Sequence, residues 1–304
     1  MNILMAILGA VSQGLLWAIM ALGVYITFKI LNFADMTCDG SFALGGCVSA
    51  VFIVSFGWNP YLSLLAAFIA GGIAGGVTGL LHTKLKIPAI LSGILTMISL
   101  YSINLRIAGQ ANTPINTRTQ GIDTIVTLIT NLLPEEIRKN ANTTTFVTMA
   151  IGVVFVAVCI GILYWFFGTE MGSAVRATGS NEAMIRALGV NTDRMKIIGL
   201  VLGNALVGLS GALVAQSQKV ADVGMGQGTI VIGLASIVIG EVFLGKKLNF
   251  AAKLIFTVLG SILYRIVVAV VLQLGLKSSD LKMLTAIIVA IALSVPVLSK
   301  KHVD

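Results

Sequence analysis

The sequence predicts an all-α protein, a polytopic transmembrane bundle of some eight to ten helical spans that includes broken helices. Three observations carry this. Of 304 residues, 57% are hydrophobic and 11% charged, against about a quarter charged in an ordinary soluble domain, and the mean hydropathy is +0.99. Apolar runs recur that approach or exceed the roughly 20 residues a helix needs to cross a bilayer, and in lipid only internally hydrogen-bonded backbone is tolerated. Two of the runs are short and follow polar, glycine-containing sequence. The chain reads as one membrane domain over 1–304.

In chain order the spans fall near 3–28, 42–56, 61–81, 87–107, 146–167, 197–216, 228–244, 251–272 and 282–298. The first has no basic residue ahead of its apolar run and no small-residue cleavage site, so it reads as a retained span and not a signal peptide. The second and seventh, as helices, reach only roughly 22 to 26 Å, short of a ~30 Å hydrocarbon core. They follow NFADMTCDGSFALGG (32–46) and VADVGMGQGT (220–229). Short, interrupted segments in both halves of a transporter point to broken helices around a pathway. In the third span Gly71, Gly75 and Gly79 recur every four residues, a pattern that lets helix backbones approach closely, within one subunit or between two.

Between the fourth and fifth spans lies a loop at 109–145. Its middle, Ile122 to Leu133, is apolar enough for a short surface helix ended by Pro134; a docking surface is the other reading. Between the fifth and sixth lies 170–196, EMGSAVRATGSNEAMIRALGVNTDRMK, the longest strongly charged stretch. It predicts a short soluble helix, with Ser180 or Asn181 as cap, Glu182 and Arg186 four apart, Gly189 at the end, and Met184, Ile185 and Leu188 exposed beside the charges. A helix of about eight residues is marginal alone, so something must hold it: the lipid headgroups, or a groove on a partner that takes Met184 and Leu188 as anchors.

The formal net charge of +8 reflects loop lysines and arginines and does not predict nucleic-acid binding. With the C-terminus in the cytoplasm and the N-terminus outside, the inner loops hold Lys29, Lys84, Lys86, Arg176, Arg186, Arg194, Lys196, Lys246, Lys247, Lys253, Lys300 and Lys301. The outer loops hold half as many: Arg118, Arg138, Lys139, Lys219, Lys277 and Lys282. The positive-inside bias therefore places 170–196 in the cytoplasm.

No cofactor or metal is expected. Cys38, Cys47 and Cys159 lie in or beside apolar segments without metal-ligand spacing, and His82 and His302 stand alone. Gly240-EVFL-Gly245-Lys246-Lys247 approaches a phosphate-binding loop, but lacks the hydroxyl residue and the preceding strand. It reads as a membrane-interface turn with snorkelling lysines, so the chain carries no nucleotide site of its own. Ionisable and polar residues at membrane depth are functional candidates, since a charge there costs about 2.5–3.5 kcal/mol. They are Asp35, Asp39, Ser41, Asn104, Glu241 and Arg265, with Glu241 the obvious opposite charge for Arg265. Asp35 and Asp39 share a face if helical; the alternative is a cytoplasmic turn.

The 170–196 stretch resembles the cytoplasmic loop of the branched-chain amino-acid and ribose permease family of ABC importers. The matching residues are Glu170, Gly172, Arg176, Ala177, Gly179, Asn181, Ala183, Gly189, Val190, Asn191, Arg194 and Lys196. GLLWAIMALGVYITFKILNFADMTCDGSFALGG (14–46) is similar to the family's first span and the broken helix after it, and GTIVIGLASIVIGEVFLG (228–245) to a second family segment. Glu241, where many members carry a glycine, resembles the subgroup associated with tryptophan and tyrosine. The resemblance implies a permease that is not itself an enzyme and that provides the pathway for amino-acid import across a bacterial plasma membrane. It also implies cytoplasmic ATPase subunits, an extracytoplasmic substrate-binding protein and a second permease subunit, in a homodimer. The ATPase would meet Arg176, Ala177, Gly179, Asn181, Glu182, Ala183, Met184, Arg186, Leu188 and Gly189. The rival class is a stand-alone ion-coupled transporter or channel, which has no need of this loop. A membrane-bound enzyme lacks a nucleophile–base or metal constellation.

Overall fold

A computed structural model describes residues 3–115, 123–138, 142–243 and 249–273, with isolated helical positions at 283, 286, 287 and 290. Among these, seven helices are long and apolar enough to cross a membrane. The ninth expected span, 282–298, lies almost wholly outside the described residues, as do Lys246 and Lys247.

Helix α1 (Ile3–Val24) continues into a π-helical turn, Tyr25–Ile30. After a six-residue break, α2 (Thr37–Val54) starts five residues earlier than expected. Helix α3 (Pro60–Thr83) opens with proline at its first position, where no amide is needed, and Asn59 accepts from the Tyr61 amide. Helix α4 (Ala89–Ala108) stops at the left-handed Gly109. Then follow β1 (Asn112–Pro114), α5 (Ile125–Asn131), the single turn α6 (Glu135–Arg138) and α7 (Thr143–Gly168). The charged stretch forms two helices, α8 (Glu170–Ser180) and α9 (Glu182–Ala187), and leads into α10 (Thr192–Gln218). Strand β2 (Val220–Asp222), α11 (Thr229–Phe243) and α12 (Phe250–Gln273) complete the described chain.

Helix α10 is the axis of the bundle and is buried over most of its apolar length. The repeating glycines of α3 close on it. A Cβ on Gly71 would strike the Asn204 carbonyl oxygen and one on Gly75 the Leu200 carbonyl oxygen, while one on Gly79 would crowd Ile197, its side chain first. Their use is therefore packing inside the subunit, since no side chain fits between these backbones.

The bundle has two distinguishable ends. At one, β1 pairs antiparallel with β2, Asn112 opposite Asp222, joining the loop after α4 to the chain after α10. At the other lie α8, α9 and the π-helical turn, where a Cβ on Gly179 would meet the Ile30 carbonyl oxygen. From β2 the chain runs back along α2: Ala221 clusters with Ala50 and Ile53, Met225 lies against Gly46, and Gly226 against the Asp39 carbonyl. Helix α11 thus begins beside the first turn of α2, about 20 Å below the β-ladder end. This is the interruption expected before the seventh span, and α11 is short because its first half-span is non-helical.

Candidate functional site

The first part of the site is the α8–α9 elbow. Asn181 caps α9, its side-chain oxygen accepting from the Met184 amide at 3.0 Å. At the other end the Gly189 amide donates to Arg186 and the Val190 amide to Ile185, a closure that needs a left-handed residue; Gly189 supplies it at φ +85°. The helix is held by its own chain. The Glu182 carboxylate accepts from Arg186 at 2.6 Å, from Thr192 at 3.1 Å and from Lys196 at 2.7 Å, tying α9 to the start of α10. The Lys196 hydrogen bond holds the Glu182 carboxyl below its ordinary range despite partial burial. Met184 (51% exposed) and Leu188 (71%) face outward, as expected, but Ile185 (7%) is buried. Of these three, only Met184 and Leu188 are available to a partner, beside the exposed Ala183, Arg186, Ala187 and Gly189. In α8, Gly179 packs on Ile30, and the Arg176 guanidinium lies over the Phe250 ring at 4.9 Å. Of the motif residues, then, Gly179, Asn181, Glu182 and Gly189 shape the elbow, while Ala183, Met184 and Leu188 are presented by it.

The second part is a polar column where α2, α10 and α11 meet. Asp35 lies in the break before α2 and Asp39 in its first turn, so the two do not share a helix face. Nor is Asp35 in a cytoplasm-exposed turn: it is 1% exposed. Its carboxylate accepts from the Thr37 amide at 2.9 Å and from the Asn204 side-chain amide at 2.6 Å. Asn204 in turn accepts from the Ser41 hydroxyl at 2.8 Å. Asn204 joins the column from the middle of α10; its signal in the sequence is a lone asparagine in an apolar run. Asn104 donates to the Gly40 carbonyl at 3.3 Å.

Asp39 does something different. Its two carboxylate oxygens accept from the Gly228 amide at 2.8 Å, the Thr229 hydroxyl at 2.8 Å and the Ile230 amide at 2.9 Å. The first amides of a helix have no partner within it, and here a carboxylate from another helix satisfies them and sits favourably at the positive end of the α11 dipole. Gly228, at φ +86°, makes the turn that aims them.

Glu241 and Arg265 are not brought together. Gly240 packs against Phe256, so α11 and α12 run antiparallel and Arg265 lies nine residues, about 13 Å, further along α12. Glu241 instead pairs with Lys29 at 2.9 Å, across the α9 end. Arg265 lies over the Trp17 ring, its guanidinium carbon 3.9 Å from the centroid. The pairing expectation failed because Lys29, read only as a topology marker, sits on the π-helical turn beside the end of α11.

The described residues thus form a multi-pass helical bundle with an interrupted helix pair, and a capped elbow presenting two apolar side chains at one end, the architecture of a polytopic membrane protein. The chain belongs to the family described as branched-chain amino acid transport system / permease component, whose model matches residues 6–294. It is similar to the tyrosine transport system permease protein of Clostridioides difficile, 40% identical over 93% of this chain and 88% of that one. It is also similar to the ribose import permease protein RbsC of Escherichia coli, 26% identical over 91% and 81%. A probable branched-chain amino acid transport permease protein, LivH of Methanocaldococcus jannaschii, is 25% identical over 70% and 66%. Among solved structures, PsaBC from Streptococcus pneumoniae in complex with Fab shares the fold, with TM-score 0.50 and 16% identity over 95% of this chain and 90% of that one. The protein is a permease component of an ABC transporter, and the family implies ATPase and substrate-binding partners.

Proposed function

We propose that this permease forms the pathway of an ATP-driven importer of amino acids, with aromatic amino acids, tyrosine first, as the substrates. The observation that carries the ATP-driven part is the α8–α9 elbow. Helix α9 is too short to persist alone, yet Glu182 fixes it to α10 while Met184 and Leu188 stay exposed. A separate cytoplasmic ATPase takes those two side chains in a groove, and its closure is passed through Glu182 into α10, the axis of the bundle. The substrate class rests on the 40% identity to a tyrosine transport permease. The α9 end faces the cytoplasm, the β-ladder end faces the substrate-binding protein, and two copies of the chain make the pathway.

The test is reconstitution of the permease with its ATPase and binding protein in liposomes. ATP-dependent uptake of tyrosine or tryptophan, exceeding that of leucine and ribose, is the expected result. Ala183→Trp should leave the permease inserted and monodisperse while abolishing uptake and weakening ATPase co-purification. Uptake driven by an ion gradient without ATP would place the protein in the ion-coupled class instead. Reporters near Gly189 and after Asp304 should report cytoplasm, and one near Thr119 the outside; a reporter at Gly189 on the outside ends the reading.

A further inference from the structure

Arg265 has no carboxylate partner among the described residues. Asp35 and Asp39 are satisfied in the polar column and Glu241 by Lys29. Its Nε is buried without a hydrogen-bond partner, and so is Nε1 of Trp17, the ring on which it lies. A third such atom, Gln13 Oε1, is on the same face of α1, one turn closer to the β-ladder end. Nearly all buried polar atoms in folded proteins have a partner. Three without one along a single α1–α12 seam, two donors and one acceptor, form a pattern that packing does not explain.

The seam leads into a cavity of about 620 Å³ at the β-ladder ends of α1, α7, α10 and α12, lined by polar Ser12, Gln13, Thr148, Ser217 and Gln273. That size is in the range of small-molecule sites. Gln13 is in its wall, as is Ala269, one turn after Arg265 on α12; Arg265 and Trp17 are not in the lining themselves but lie one helical turn, about 6 Å, below it. Guanidinium is permanently charged and its planar fork matches a carboxylate. Trp17 lies against the guanidinium, 3.9 Å from its carbon to the ring centroid, a contact that leaves N–H groups for a ligand.

We propose that this cavity is a binding station for the zwitterionic head of an amino acid, its carboxylate on Arg265 and its ammonium on Gln13 Oε1. The station rests on the amino-acid reading above and adds the residues that take the head group. It lies apart from the Asp35–Asn204–Ser41 column, and its mouth is at the end assigned to the binding protein, so substrate would meet it on entry.

Trp17 is a built-in reporter. Trp58→Phe and Trp165→Phe, both at exposed positions, leave it as the sole tryptophan and should not change uptake. In the full-length permease–ATPase complex with these substitutions, millimolar L-phenylalanine should shift Trp17 emission, while phenylalaninamide, which lacks the carboxylate, and inorganic phosphate should not. Arg265→Gln should abolish the shift and lower uptake about tenfold or more, as expected for losing hydrogen bonds to a charged group, with Arg265→Lys partly retaining both. No shift with phenylalanine, or an equal one with the amide, overturns the proposal. An equal shift with phosphate would mean a general anion or lipid-phosphate site and overturns it too. Asp280 is the nearest carboxyl in sequence after Arg265 and lies outside the described residues; recovery of uptake when Asp280→Asn is added to Arg265→Gln would show that the partner of Arg265 lies within the chain, with the same consequence. If the unsubstituted transporter imports no amino acid, the substrate reading fails on its own, and the Trp17 titration still decides the station.

Discussion

Two kinds of fastening coexist in this molecule. Helix α3 is joined to α10, and α8 to the π-helical turn, by glycines whose missing side chains let backbone touch backbone at Gly71, Gly75 and Gly179. The first turns of α11 and α9 are each hung on one carboxylate, Asp39 holding the start of α11 to α2 and Glu182 holding α9 to α10, while the rest of α11 is closed on α12 by glycines, Gly240 on Phe256 and Gly260 on Ser236. A backbone contact has a steep repulsive wall and no alternative partner, so elements joined that way move together. A carboxylate with three donors can release them one at a time and take others. The contrast separates a fixed frame from two helix starts, one at the interruption and one at the elbow. It also places the polar fastenings at helix termini, where unsatisfied amides are available to be held.

The largest effect should come from the frame. Gly75→Leu pushes a side chain into the Leu200 carbonyl and within 2.8 Å of the Asn204 Cβ. The expected cost is about 3 kcal/mol or more, seen as lost monodisperse protein or a collapse of thermal stability in detergent. Gly76→Ala, whose Cβ would only reach Val201 at 3.4 Å, is the control and should be near neutral. Equal behaviour of the two would dissolve the distinction between a backbone-closed seam and ordinary packing.

Next is Asp39→Asn, which keeps one acceptor oxygen but loses the charge at the α11 N-terminus. Hydrogen bonds to charged groups contribute about 1.5–3 kcal/mol, and the variant should lose stability within that range. Hydrogen exchange gives the sharper readout: the Gly228 and Ile230 amides should lose protection while those in the middle of α10 keep theirs. Uniform loss across the bundle would mean that Asp39 belongs to the frame.

Smaller again is Glu182→Ala. The site is partly exposed, where an ion pair contributes only about 0–1 kcal/mol, so global stability should barely change. Limited proteolysis between Asn181 and Thr192 should nonetheless accelerate, because only the Arg186–Thr192 hydrogen bond and the buried Ile185 then hold α9.

The smallest effect is on pH. The Glu182 carboxyl is held below its ordinary value by Lys196. Its contribution is therefore fully present above the unfolded pKa of about 4.3 and is lost as pH falls through the lower folded value. Proteolysis of the elbow should be flat from neutral pH to about 5 and rise only below about 4. In Glu182→Gln that acid step should vanish; its persistence would assign the step to another carboxyl.

Some of the site was legible in the sequence because its signals are local. The caps and end of α9 follow from Asn181 and Gly189, and the interruption before α11 from VADVGMGQGT. The candidate polar residues could be named because an ionisable group in an apolar run stands out whatever it touches. Their partners could not. Asp35 meets Asn204, Asp39 meets Gly228 to Ile230, and Glu241 meets Lys29, each separated by more than 160 residues. Ile185 looked as available as Met184, yet it turned inward, because the direction α9 faces is set by where Glu182 meets Lys196.

Composition and run length by themselves determined that the chain is a helical membrane bundle, since lipid leaves the backbone no other way to satisfy its amides and carbonyls. Glycine spacing determined which helix would approach a neighbour closely, because that depends on the size of the side chain alone. Only the tertiary structure decided which neighbour it was, that a carboxylate of α2 caps α11, and that Arg265 faces Trp17 one turn below a cavity of mixed polar and apolar lining. Those facts depend on relative rotation and depth of helices far apart in the chain, and one helix face or one turn of displacement, which no local pattern encodes, would give each residue a different partner.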